Sequence, residues 1–255
     1  MGTNRGPSID SPTCLPDVQA MPIIWLALTM QVAVAVQPPS SCTQRCLNPE
    51  KCVVLDPGHP SEVNPGTHVQ FGTSERDVNW RIAVKLRERL RTDGVEVLMT
   101  RTDSLRSMTN RARAEFANCA SGVLFLRLHA DAGPTRGFAV LHADRAGRAQ
   151  GVEGPSPEIR AASRRWAETI EQQMRPILAK VGLPSRGLMG ESRSAVGSKQ
   201  GALTGSIFSQ RPTVLIEMVV LSQRVDAMFI KSEIGERSMV EAIARGVLVG
   251  LAAQE

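Results

Sequence analysis

Two histidines that close apolar, strand-forming runs are the residues of this 255-residue chain best placed to do chemistry. His59 ends Val53-Val54-Leu55-Asp56-Pro57-Gly58, where β-branched residues and leucine suit a buried strand and Asp-Pro-Gly is turn chemistry. His129 ends Leu124-Phe125-Leu126-Arg127-Leu128 in the same manner. Two carboxylates share this setting. Glu75 opens a helical pattern, and Glu217 lies inside the run Thr213-Val214-Leu215-Ile216-Glu217-Met218. A carboxylate in an apolar strand must be paired, protonated or metal-bound, because burying it alone is costly. The chain has only four histidines, so an acid–base or metal site has few places to be.

Two histidines and a glutamate form a three-ligand catalytic zinc set that leaves a fourth position for water. A second carboxylate beside that position can accept the water's proton and hand it to a leaving amine. The inventory fits a zinc amide hydrolase, with His59, Glu75 and His129 as ligands and Glu217 as general base and acid. Each residue alone has a plainer reading. His59 is then a turn histidine, His129 a strand-end cap, and Glu75 a helix-start acid favoured by the dipole. Glu217 is then a buried partner of Arg113 or Arg127. The metal site and a satisfied buried polar network both stand on the residues alone.

The elements that must hold these residues alternate in type. A strand at 52–55 precedes a helix at about 75–91, with Val78, Ile82, Leu86 and Leu90 at four-residue spacing and Asp93-Gly94 as its stop. Further strands are expected at 95–100, 123–128, 137–142 and 213–218, and helices at about 108–119, 158–181 and 236–253. This alternation predicts a single α/β domain with a mostly parallel twisted central sheet flanked by helices on both faces. Residues 51–255 form the catalytic domain in this reading. Residues 1–50, rich in Pro, Ser and Gln, form a leader and linker.

Within that leader, residues 21–36 carry no charge. The run is shorter than the roughly 20 apolar residues of a membrane span. It suits the core of a secretory signal, with Ala33-Val34-Ala35 as the cleavage site. Before it, Arg5 faces Asp10 and Asp17, where a signal wants positive charge; a start at Met21 is the alternative. An exported location, in the periplasm or cell envelope, is expected. There a Cys42–Cys46 or Cys46–Cys52 bridge can form, whereas Cys119 reads as a buried thiol on a helix. His68 and His142 read as exposed. The first helix, with Arg76, Arg81, Lys85, Arg87, Arg89 and Arg91, reads as a solvated basic face. Net charge is +5, a mild bias toward anionic partners, but aromatics are only 4% with no tyrosine, which argues against a stacking platform for nucleic acid.

The sequence also resembles the zinc-dependent N-acetylmuramoyl-L-alanine amidases of the type-3 family. The matching stretches are Val53 to His59, the Glu75 segment, Leu98 to Asp103, Arg113 through Asn118, Leu124 to Asp131 and Pro212 to Glu217, in family order from about Cys52 to the C-terminus. The resemblance implies zinc on His59, Glu75 and His129, with Glu217 as the catalytic glutamate and Arg113 and Asn118 as framework. It implies cleavage of the amide joining N-acetylmuramic acid to L-alanine. Implied partners are the peptidoglycan stem peptide and glycan, with no nucleic acid, a membrane contact only through the N-terminal apolar segment, and a monomeric state; an activator protein is left open. The chain departs from the family in three places. Pro60 follows His59 where glycine is usual, Met189 stands where lysine is common, and Arg127 replaces a small residue. Arg127 reads either as a ligand for a substrate carboxylate or as a cation leaving the sheet edge for solvent. The rival readings are a zinc peptidase acting on another peptide and a non-catalytic wall-binding protein of the same fold.

Overall fold

A computed structural model describes residues 1–2 and 44–254. The apolar run at 21–36, Cys14 and Cys42 lie outside the described residues. Ten strands are described: β1 (Cys52–Pro57), β2 (Val69–Gln70), β3 (Thr73–Ser74), β4 (Glu96–Met99), β5 (Leu124–Asp131), β6 (Phe138–His142), β7 (Gly147–Ala149), β8 (Val152–Gly154), β9 (Ser185–Gly190) and β10 (Thr213–Val220). Six of them make one sheet in the order β4-β1-β5-β10-β6-β9. β4, β1, β5 and β10 run parallel, and β6 with β9 runs the other way. After β1 the chain goes first to β4 on one side and later to β5 on the other. The carboxyl ends of β1 and β5 therefore flank a topological switch point, where open α/β sheets place their ligands.

The helices are α1 (Glu75–Thr92), α2 (Asn110–Ala120), α3 (Pro157–Ala179), α4 (Gly197–Gln200), α5 (Thr204–Ile207), α6 (Arg224–Lys231) and α7 (Glu233–Ala252). Strand alternation divides the sheet's side chains between two layers. Val53, Leu55, Leu124, Leu126, Leu128, Val214, Ile216 and Met218 point into the larger core, against Val78, Ile82, Leu86 and Leu90 of α1 and the buried sides of α3 and α7. Val54 and Phe125 point the other way, against Ala114, Ala117 and Ala120 of α2 and Phe208. Both faces are covered, as a parallel sheet requires. Each of the four α1 side chains is fully buried, worth roughly 1.5–3 kcal/mol apiece. Among the described residues no helix is long and apolar enough to cross a membrane.

The main strands and the four long helices lie where the sequence places them, with three kinds of departure. β1 runs on through Asp56 and Pro57, and His129 lies inside β5 rather than just after it. The strand β9, the helices α4, α5 and α6 and the small hairpins β2–β3 and β7–β8 were not anticipated; all are short elements. The basic face of α1 is not free. Arg81 and Lys85 pair with Glu236 of α7, and Arg89 pairs with Glu241 and Asp93, so these cations tie two helices together. A Cys46–Cys52 disulfide pins the segment before β1. Cys119 is half-buried and disulfide-bonded, not a buried free thiol. His142 is buried at the end of β6 remote from Glu217, contrary to its expected exposure.

Candidate metal and active site

Sheet register brings the chemistry together. Asp56 of β1 is level with Arg127 of β5, Leu215 of β10 is level with Arg127, and Glu217 is level with His129. Odd-numbered residues of β5 and β10 face the α2 side, so His129 and Glu217 stand next to each other on that face. His59 follows the end of β1, and Glu75 is the first residue of α1, whose N-cap Ser74 accepts from the amide of Asp77. All four predicted residues line one cavity of about 760 Å³, together with Arg127, Asp131, Asn110 and the segments around 61–68, 194–196 and 203–204. His68 is exposed and sits on its rim.

Three ligand atoms converge. Glu75 Oε1 is 3.2 Å from His59 Nε2 and 3.0 Å from His129 Nδ1. The candidate donor atoms of His59, Glu75 and His129 lie within 4.8 Å of one another. Ligands at the usual 2.0–2.1 Å from a tetrahedral zinc are about 3.3 Å apart, close to these separations. The donor set fits a cation for a second reason. His59 Nδ1 donates to the carbonyl of Asn64 at 3.0 Å, which leaves Nε2 as a lone pair facing the carboxylate. A lone pair against a carboxylate is repulsive unless a proton or a metal lies between them.

In the protein alone, the two histidines respond oppositely. Burial pulls His59 down, but the hydrogen bond and charge of Glu75 outweigh it and raise it. Burial dominates at His129 and lowers it. Burial pushes Glu75 up, yet its two imidazole neighbours hold it well below the usual carboxylate range. At Glu217 burial acts first, the negative charges of Asp131 and Glu75 act in the same direction, and the carboxyl is pushed well above its ordinary value. Its Oε2 is buried with no partner among the described residues. Neither Arg113 nor Arg127 pairs with Glu217; both pair with Asp56.

Asp56 is the hub that the sequence reading treated as turn chemistry. Fully buried, it accepts from Thr100 Oγ1 at 2.6 Å, Arg113 Nη1 at 2.6 Å and Arg127 Nε at 3.0 Å. Arg113 also donates to the carbonyls of Pro57 and Pro60, on either side of His59. Arg101 donates to Pro57 and Asn79 to Gly58. The His59 turn, with φ of 55° at the histidine itself, is thus held by its own carbonyls. Gly58 lets the imidazole of His129 come close, since a Cβ there would be 2.4 Å from its Cε1. Arg127 is 2% exposed and does not leave for solvent. Asn118 is framework as expected, donating to the Phe208 carbonyl and accepting from the Gln210 amide.

Glu191 was missed. It is fully buried after β9, bonded to Ser206 Oγ and the Leu203 amide, and burial pushes its carboxyl up to about 6. The signal that could have found Asp56 is the one used for Glu217, a carboxylate in an apolar strand. Glu191 lies in a Gly/Ser-rich stretch with no such signal.

Comparison with known proteins agrees with this geometry. A family profile described as N-acetylmuramoyl-L-alanine amidase matches residues 53–249. An N-acetylmuramoyl-L-alanine amidase of Mycobacterium tuberculosis is 27% identical over 192 residues, covering 74% of this chain and 73% of the relative. The crystal structure of an N-acetylmuramyl-L-alanine amidase from Mycobacterium smegmatis superposes with a TM-score of 0.62 at 26% identity, over 80% of this chain and 97% of that one. An amidase structure from Clostridium difficile shares the fold at a TM-score of 0.64 and 22% identity, over 82% of this chain and all of that one. With the profile spanning most of the chain, this protein belongs to the N-acetylmuramoyl-L-alanine amidase family of peptidoglycan hydrolases.

Proposed function

We propose that the cavity hydrolyses the amide between the lactyl group of N-acetylmuramic acid and the L-alanine of the stem peptide, with zinc held by His59, Glu75 and His129. Zinc there would polarise the amide carbonyl and lower the pKa of a water molecule toward about 7. The Asn64 carbonyl orients the His59 ring, and the amide of Ala130 donates to Glu75 Oε1 at 3.3 Å, holding that carboxylate in place. Glu217 takes the proton of the attacking water and delivers it to the departing alanine nitrogen. Its place next to His129 on the same face of the sheet puts it within the ligand cluster's cavity for both transfers. The convergence of three ligand atoms beside a carboxylate whose Oε2 is buried without a partner among the described residues is the observation that carries this reading.

The catalytic body acts outside the cytoplasm. Its substrate is cell-wall material, and its Cys46–Cys52 disulfide is of a kind that persists in oxidising compartments. The test is Glu217→Gln: zinc content stays near one per chain while kcat for release of free stem peptide falls roughly 100-fold or more. Near-full turnover in that variant, with zinc bound, refutes the acid–base role.

A further inference from the structure

Arg127 is the cation that the proposed reaction does not use, yet it lines the cavity. Its side chain is nearly fully buried, on the same strand and face as His129 and two residues before it. Nε donates to Asp56 and Nη2 donates to Asn110 Oδ1 at 2.6 Å. Nη1 has no hydrogen-bond acceptor among the described residues. It lies over Gly205, where a Cβ would be 2.5 Å away, so a side chain at 205 would collide with it. Asp56 is one carboxylate shared by two guanidiniums, and it can neutralise only one of them. Glu191 feels the charge of Arg127 but spends its oxygens on Ser206 and Leu203. The cavity floor beside the proposed metal ligands therefore holds a guanidinium fixed in orientation by two of its nitrogens, with the third unclaimed among the described residues.

We propose that Arg127 is a specificity-determining residue that binds a free carboxylate on the stem-peptide residue following the alanine. The proposal rests on placing the scissile amide at His59, Glu75 and His129. Two residues along a strand span about 6.6 Å, and two residues of extended peptide reach about 7 Å. A peptide that runs from the ligand cluster along β5 toward its amino end would bring the next residue's carboxylate level with Arg127. A guanidinium held on two of its nitrogens is pre-oriented to give its third to a carboxylate, a charge-assisted bond that a neutral carboxamide does not match.

The test uses two muramoyl peptides that differ only in whether that residue bears a carboxylate or a carboxamide. Equilibrium binding is measured on zinc-loaded Glu217→Gln protein, so that turnover does not intrude. The carboxylate form is expected to bind roughly 10- to 100-fold tighter. Adding Arg127→Gln brings that ratio close to one, and Arg127→Lys, which keeps the charge, retains part of it. A ratio near one before Arg127 is changed, or an unaltered ratio in the Arg127→Gln protein because both ligands weaken together, overturns the proposal. Release of free N-terminal alanine by the wild-type protein reads the placement of the scissile amide separately from this ratio.

Discussion

Replacing Asp56 by asparagine keeps the shape of the side chain and removes the one charge that two buried guanidiniums share. Asp56 is fully buried and accepts three hydrogen bonds, two of them from arginines. An asparagine oxygen can still serve Thr100 and Arg113, but its amide then points donor-to-donor at Arg127 Nε. Each charge-assisted bond is worth about 1.5–3 kcal/mol, and removing one partner of a buried ion pair typically costs about 3–5 kcal/mol. The expected loss of folding stability is about 3–5 kcal/mol at neutral pH. The arginines hold Asp56 far below the usual carboxylate range despite its burial. Its contribution is therefore present above the unfolded value of about 4 and is lost as pH falls below it. Urea unfolding at several pH values reads both effects. The wild type should lose stability on the acid side, and Asp56→Asn should be weaker at pH 7 with a flatter acid limb. A loss under about 1 kcal/mol, or an unchanged acid limb, would refute the view of Asp56 as the hub beneath the His59 turn.

Gly58→Ala places a Cβ 2.4 Å from the His129 ring and should weaken zinc binding about 10- to 100-fold, measured by competition with a chromophoric chelator. Glu191, with its carboxyl pushed up to about 6 by burial, binds its proton more tightly folded than unfolded. Stability should therefore fall by up to about 2 kcal/mol as pH rises from 4.5 through 6, and Glu191→Gln should lack this decline in urea midpoints. Leu86→Ala, in the packed face of α1, should cost about 2–5 kcal/mol by denaturant unfolding. Replacing Cys46 and Cys52 together by alanine, which removes their bridge and leaves that of Cys119, should cost about 2 kcal/mol, since the bridge closes only a short loop, read as a lowered urea midpoint.

The four candidate residues were legible because each sits where a simple rule applies: a histidine or glutamate at the end of, or inside, a buried strand, or at a helix start. Their meeting point was not legible from spacing. It depends on β5 and β10 pairing so that His129 and Glu217 are level, a register set by the whole sheet. Asp56 was misread because Asp-Pro-Gly carries a strong turn signal that masked a strand continuing through Pro57. Arg127 could be given two directions, and only the packing of Asp56, Asn110 and Gly205 chooses between them. The basic residues of α1 looked solvated because their partners on α7 lie about 150 positions away in the chain.

The most direct test of the central claim is a zinc titration of chelator-treated protein, following release of stem peptide with a free N-terminal alanine from peptidoglycan. The three-ligand site predicts no release without metal, then a linear rise that breaks at one zinc per chain. Full activity in the stripped protein, or a rise with no break at one equivalent, would contradict it.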